Sequence, residues 1–147
     1  MATKISVIIP TYAPKDYLWE CLGSLENQTL SKDEFEVILV LNGEREPYES
    51  LIQKKLPEYS FNSTLLYSTP NGVSRARNLG MDKAQGCYIC FIDDDDWVSD
   101  NYLAELLSNA CDNGIVEANV KDVDEQTREE SEQHFLSRAY KNSQPDK

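Results

Sequence analysis

The chain has 147 residues, enough for one domain with a real core. Asp and Glu number 26 against 14 Lys and Arg, a net charge of -12. That excludes a polyanion such as DNA or RNA as partner of the surface as a whole, but not a small anion neutralised locally by a cation and a few arginines.

Ile5-Ser6-Val7-Ile8-Ile9 reads as a first buried strand. It is too short for a signal core and ends at Pro10. No later stretch approaches the roughly 20 apolar residues of a membrane span. The expectation is a soluble, cytoplasmic protein, with attachment to the inner face of a membrane left open.

Leu18, Cys21, Leu22 and Leu25 recur at i, i+3, i+4, i+7, one face of a helix. Phe35 to Leu41 is a second strand. Leu51, Ile52 and Leu56 suggest a short helix stopping before Pro57. Thr64 to Ser68 is a weaker strand, and Val73 to Ala84 a helix closed by Gly86. Tyr88 to Ile92 is the fourth strand. Ser99 reads as the N-cap of a helix facing inward through Leu103, Leu106, Leu107 and Ala110. Gly114 to Val120 is a candidate fifth strand. From Lys121 onward polar residues dominate, with Phe135, Leu136, Ala139 and Tyr140 as a thin stripe. A helix or a mobile tail is expected there.

Continuous Val/Ile/Leu runs alternating with helices predict a doubly wound, mostly parallel α/β sheet. Ligands of such sheets bind beyond the carboxyl ends of the strands, near a switch point. Pro10-Thr11-Tyr12, Leu41-Asn42-Gly43 and Asp93 to Asp96 all fall at strand ends. If the first, second and fourth strands are neighbours, the three segments meet in one cleft.

Four adjacent carboxylates repel. A pair about 4 Å apart costs roughly 1 kcal/mol in water and about 4 kcal/mol at a protein surface. A divalent cation relieves this, and hard oxygen ligands suit Mg²⁺ or Mn²⁺ shared with a diphosphate. In extended backbone Asp93 and Asp95 point the same way and form the metal pair. Asp94 then faces a sugar or ribose hydroxyl, and Asp96 caps the following turn. Gly72 to Asn78 opens a helix after Pro70-Asn71, a place suited to phosphate. Arg75 and Arg77 are about 200° apart there, so only one of them is expected to face the cleft, the alternative being two exposed arginines. Tyr12 can stack on a base and Thr11 hydrogen-bond it. Asn42 reads either as a turn residue or as a partner for a base edge such as uracil. Trp97 lines a sugar pocket or packs in the core.

Cys21, Cys87, Cys90 and Cys111 are the cysteines. Cys87 and Cys90 have CxxC spacing, but in a strand an offset of three puts them on opposite faces. With His134 the only histidine, structural thiols in a reducing compartment are expected.

Ile5 to Tyr12 (ISVIIPTY), Phe35 to Gly43, Gly72 to Met81 (GVSRARNLGM) and Phe91 to Val98 (FIDDDDWV) resemble the inverting family 2 of glycosyltransferases. The resemblance keeps their order and spacing over about the first 110 residues. It implies a Rossmann-like GT-A nucleotide-sugar-binding domain, a mostly parallel sheet flanked by helices, over residues 1–120. A polar tail at 121–147 would follow, and the acceptor-binding half would be absent.

The resemblance also implies roles. The DxD motif falls on Asp93-Asp94-Asp95, with Asp95 and Asp93 on Mn²⁺ or Mg²⁺ that bridges the donor diphosphate. Pro10, Thr11 and Tyr12 hold the nucleoside, Arg75 or Arg77 approaches the diphosphate, and the partner is a nucleotide-diphosphate sugar, UDP favoured. A saccharide or lipid-linked acceptor fits, in polysaccharide biosynthesis. The family usually has Asp at the place of Asn42 and often at Leu41. Its general base lies downstream of the fifth strand, where Asp122, Asp124 and Glu125 stand without an assigned role. The alternative is a non-catalytic module that holds the nucleotide sugar. A sugar nucleotidyltransferase would want a Gly-rich basic loop where Pro10-Thr11-Tyr12-Ala13-Pro14 stands.

Overall fold

The two strands that the sequence makes most apolar lie inside the sheet. These are β1 (Ile5–Tyr12) and β2 (Phe35–Asn42), parallel and in register from Ile5↔Phe35 to Tyr12↔Asn42. The structure is a computed structural model. It describes residues 2–69 and 72–110 and the strand backbones of Ile115–Val123 and Glu130–Lys141. Pro70, Asn71, Cys111, Asp124 and Glu125 lie outside the described residues.

The remaining elements follow the expected alternation except at the end, where two strands come in succession. They are α1 (Tyr17–Glu26), α2 (Tyr48–Lys55), β3 (Asn62–Ser68), α3 (Val73–Lys83), β4 (Tyr88–Phe91), α4 (Tyr102–Ser108), β5 (Ile115–Val123) and β6 (Glu130–Lys141). A single 3₁₀ turn, Leu56–Glu58, follows α2. The sheet order is β3-β2-β1-β4-β6-β5. β3, β2, β1 and β4 are parallel, while β6 runs antiparallel to both β4 and β5.

Strand alternation divides the core. Ile5, Val7 and Ile9 of β1, with Val37, Leu39 and Leu41 of β2, meet α1, α2 and α4 through Leu18, Leu22, Ile52 and Leu103. Ile8, Ile38 and Val40 point the other way, to α3 through Ala76 and Leu79. Close contact there requires Gly80, since a Cβ on it would stand 2.6 Å from Ile8 Cγ2.

Two expectations change. Asn101, not Ser99, holds the N-cap position of α4, without a side-chain capping bond; the Ser99 hydroxyl donates to Asn101 Oδ1 at 3.0 Å. Ala110 falls beyond the helix end. The helix or mobile tail expected in 121–147 is replaced over Glu130–Lys141 by β6. The spacing of Phe135, Leu136, Ala139 and Tyr140 suits a helix, but the exposed edge of β4 presents backbone donors and acceptors that need partners. Pairing of Tyr88, Ile89 and Cys90 with Lys141, Tyr140 and Ala139 supplies them.

Candidate functional site

The chain adds β2 and β3 on one side of β1 and then β4 on the other. The segments leaving β1 and β4 therefore part at their carboxyl ends, and a crevice opens at this switch point. It is a cleft of about 190 Å³ lined by Pro10, Thr11, Tyr12, Tyr17, Asn42, Val73, Asp93, Asp94 and Asp95. The three strand-end segments do converge, because β2, β1 and β4 are neighbours.

One wall consists of strand ends. Thr11 and Asn42 are 1% and 3% exposed. Asn42 Nδ2 donates to Thr11 O at 3.0 Å, tying β2 to β1. Only the amide NH₂ can donate to a carbonyl, so this bond sets which way the Asn42 side chain faces. Beyond it Gly43 has φ +87°, and the Tyr67 hydroxyl donates to its carbonyl. The Tyr12 ring lies on Gly43, where a Cβ would come within 2.3 Å of Tyr12 Cε2. Tyr12 is 58% exposed and offers an open aromatic face. The Asn42-Gly43 pair is thus a turn whose Asn42 also lines the cleft.

The other wall is the acidic run. Asp93 to Asp96 is a turn rather than extended strand, closed by Asp96 N–H on Asp93 O at 3.1 Å. Carboxylate oxygens of Asp93, Asp95 and Asp96 lie within 4.8 Å of one another. The expected pair is brought together, by the turn instead of by strand alternation, and Asp96 joins it. Asp94 turns inward and accepts the Thr11 hydroxyl at 2.7 Å and the Tyr12 backbone N–H. Burial pushes its carboxyl above the usual range. The Thr11 bond opposes this, and the charges of Asp95 and Asp93 add to it.

The two arginines separate as their helix angle requires. Arg77 Nη2 is 3.6 Å from Asp93 Oδ1, and its guanidinium stands 5.7 Å over the Phe91 ring. Its Nε is buried with no hydrogen-bond partner among the described residues. Arg75 is exposed, and neither arginine is among the residues that line the cleft. Nor is Trp97, which is 44% exposed.

With the geometry in place, comparison with known proteins is decisive. The model of the family described as "Glycosyl transferase family 2" matches residues 6–146. The chain belongs to this family.

Among family 2 relatives, the glycosyltransferase GlyA of Streptococcus pneumoniae is 34% identical over 103 residues, 70% of this chain and 14% of GlyA. The poly(ribitol-phosphate) beta-N-acetylglucosaminyltransferase TarS of Staphylococcus aureus is 30% identical over 102 residues, 69% of this chain and 18% of TarS. The family 2 chain thus spans less than a fifth of either relative. A crystal structure of S. aureus TarS in complex with UDP-GlcNAc has a TM-score of 0.65 at 30% identity, covering 72% of this chain and 30% of that one. The mannosyltransferase PcManGT of Pyrobaculum calidifontis, solved with GDP-Man and Mn²⁺, shares the fold with a TM-score of 0.70 at 22% identity. It covers 78% of this chain and 35% of its own. The family 2 fold here is of the GT-A type, as the resemblance implied. Among the described residues no helix is long and apolar enough to cross a membrane.

Sequence reasoning passed over Tyr17 and Val73, which also line the family 2 cleft. Tyr17 opens α1 one place before the core residue Leu18, so helix geometry turns it about 100° from the core stripe. Burial, then the charge of Asp94, pushes its hydroxyl up; the backbone at Lys15 opposes this.

Proposed function

We propose that this chain is the donor-binding part of an inverting, metal-dependent glycosyltransferase that takes a nucleotide-diphosphate sugar, with a UDP-sugar favoured. One observation carries the reading: Asp93 and Asp95, whose carboxylate oxygens cluster with those of Asp96, line the same cleft as Thr11, Tyr12 and Asn42. TarS, solved with UDP and with UDP-GlcNAc, supports the choice of base.

In this reading Tyr12 stacks on the base while Pro10 and Thr11 shape its pocket. One N–H of Asn42 donates to Thr11 O, which leaves its second N–H and its carbonyl oxygen for the edge of a base. That oxygen can accept from the ring N–H of uracil. Arg77 is the guanidinium for the diphosphate, with Arg75 an outer contributor at most. Asp94, held by Thr11, reaches a ribose or sugar hydroxyl.

Asp93, Asp95 and Asp96 supply hard, anionic oxygens and fit Mn²⁺ or Mg²⁺. When bound, that ion supplies Lewis-acid stabilisation of the departing nucleoside diphosphate. The acceptor in this proposal is a saccharide or a lipid-linked saccharide in polysaccharide biosynthesis, met in the cytoplasm at the inner face of a membrane. The general base is not assigned to any described residue.

The test is thermal unfolding with UDP-, GDP- and dTDP-sugars, with and without Mn²⁺. A ligand at a hundredfold excess over its Kd stabilises by about 2.7 kcal/mol, or about 5–10 °C in Tm. The expected result is stabilisation by UDP-sugar that needs Mn²⁺ and is lost in Asp95→Ala. Absence of stabilisation by every nucleotide sugar would overturn the reading. Stabilisation without hydrolysis or transfer would assign the chain as a non-catalytic holder of the donor.

A further inference from the structure

The acidic turn belongs to a segment without helix or strand. It lies between β4, which ends at Phe91, and α4, which starts at Tyr102; past Ile92, whose N–H still bonds Ile8 O of β1 at 3.1 Å, its backbone groups have no ladder to join. Many of them are taken up by α1 and the residues just past it. Cys21 Sγ is 3.7 Å from Asp93 O, and Ser24 Oγ accepts Val98 N–H at 3.1 Å. Thr29 N–H donates to Asp100 O at 2.7 Å.

Gln28 does most. Its Nε2 donates to Ser99 O at 2.6 Å and to Ser24 O at 3.0 Å, while its Oε1 accepts Leu103 N–H at 2.9 Å. Cys21, Ser24 and Gln28 recur at i, i+3, i+7, one line along the helix and its exit. Gln28 is 5% exposed, so each of these partners has little water to fall back on.

We propose that Gln28 is a positioning residue. It acts as a latch that sets where Asp93 to Asp96 stand against Thr11 and Asn42, and so sets donor affinity. The inference rests on the donor-binding reading above. Gln suits the place because one neutral group must donate twice and accept once. A glutamate would aim a carboxylate at two carbonyl oxygens. A methionine of similar length would leave Ser99 O and Leu103 N–H without their partner.

A merely structural Gln28 would lower stability and leave the folded cleft as it is. Trp97 separates the cases, since it lies between the acidic turn and Ser99. In a Trp19→Phe background it is the only tryptophan. Two quantities are measured well below Tm: acrylamide quenching of Trp97 without ligand, and the Kd for UDP in Mn²⁺ by calorimetry. Gln28→Met is expected to increase quenching and weaken UDP at least tenfold, the scale of lost outer-shell support at metal sites. Ser24→Ala, which removes the Val98 bond and the hydroxyl's own bond to Cys21 O, is expected to move both the same way by less. Phe61→Ala, a control packed on Phe35 and Tyr59, is expected to lower Tm and move neither.

Wild-type quenching and Kd in Gln28→Met and Ser24→Ala would overturn the latch. If wild type binds no UDP, the donor reading fails by itself. Trp97 quenching then decides only whether Gln28 holds the acidic turn: increased quenching in Gln28→Met keeps that part, and unchanged quenching overturns it.

Discussion

Thr11 and Asn42 stand on one side of the cleft and Asp93 to Asp96 on the other, and the two sides hold their shape by different means. The first side is the end of a parallel ladder. Its positions are fixed by backbone pairing from Ile5↔Phe35 to Tyr12↔Asn42, with apolar layers above and below. The second side has no ladder. It is held by side chains reaching from α1, by the turn bond of Asp96 to Asp93, and by Arg77 beside Asp93. The ladder side should tolerate loss of any one side chain that does not touch ligand. The acidic side should move when a single hydrogen-bonding side chain is removed.

Thr11 is where the sides are strapped together, through its hydroxyl on Asp94 at 2.7 Å. Thr11→Val keeps the shape and removes the donor, leaving a half-buried carboxylate short of a charge-assisted bond. Such bonds contribute about 1.5–3 kcal/mol. The expected loss is of that size by urea unfolding, restored in Thr11→Ser. A loss below about 0.5 kcal/mol would mean that the Tyr12 N–H alone holds Asp94, and that the strap is backbone like the rest of its wall.

The ladder side was also the more legible in sequence. Ile5 to Ile9 and Phe35 to Leu41 announced buried strands, and Leu18, Cys21, Leu22 and Leu25 are the buried residues of α1. Local pattern sufficed because burial and periodicity are local. The acidic residues were legible as a cluster, since their repulsion is a local fact. Their arrangement was not: a turn, not strand alternation, joins Asp96 to Asp93 and Asp95. Gln28 gave no signal, because a glutamine near a helix end is ordinary and its partners lie 71 and 75 residues away. β6 was hidden for the same reason. Its pairing with β4 is non-local, and its apolar spacing fits a helix better.

A smaller effect separates the sides by ligand. Gly43→Ala puts a Cβ into the Tyr12 ring and forces a left-handed residue at φ +87°. The ring is exposed and can swing away, so the stability cost is about 1 kcal/mol, chiefly from the backbone. In the proposed reading the base would lose its platform. UDP affinity is expected to fall several-fold in calorimetry, while Mn²⁺ affinity without nucleotide stays at the wild-type value. A matching fall in Mn²⁺ affinity would show that the strand-end wall also positions the acids.

The gentlest probe leaves stability untouched and compares the two walls through their thiols. Cys21 and Cys90 are both buried, whereas Cys87 is exposed. Burial pushes the Cys21 thiol well above its ordinary range and that of Cys90 up to about 12, so neither reacts in place at pH 8. Each must wait for an opening. Cys21 lies under the acidic turn, its sulfur 3.7 Å from Asp93 O, and is uncovered when that turn lifts. Cys90 sits in β4 between β1 and β6, so its release requires ladders on both sides to part. Local openings cost less free energy than breaking a central strand. Iodoacetamide labelling followed by peptide mass spectrometry, in a Cys111→Ser background, is expected to modify Cys87 first, Cys21 later and Cys90 last. UDP with Mn²⁺ should slow Cys21 and leave Cys90 unchanged, because a donor held as proposed would span the cleft and add nothing to the ladder. Equal rates for Cys21 and Cys90 would mean that the turn opens only when the sheet does, and the two walls would then be one cooperative unit.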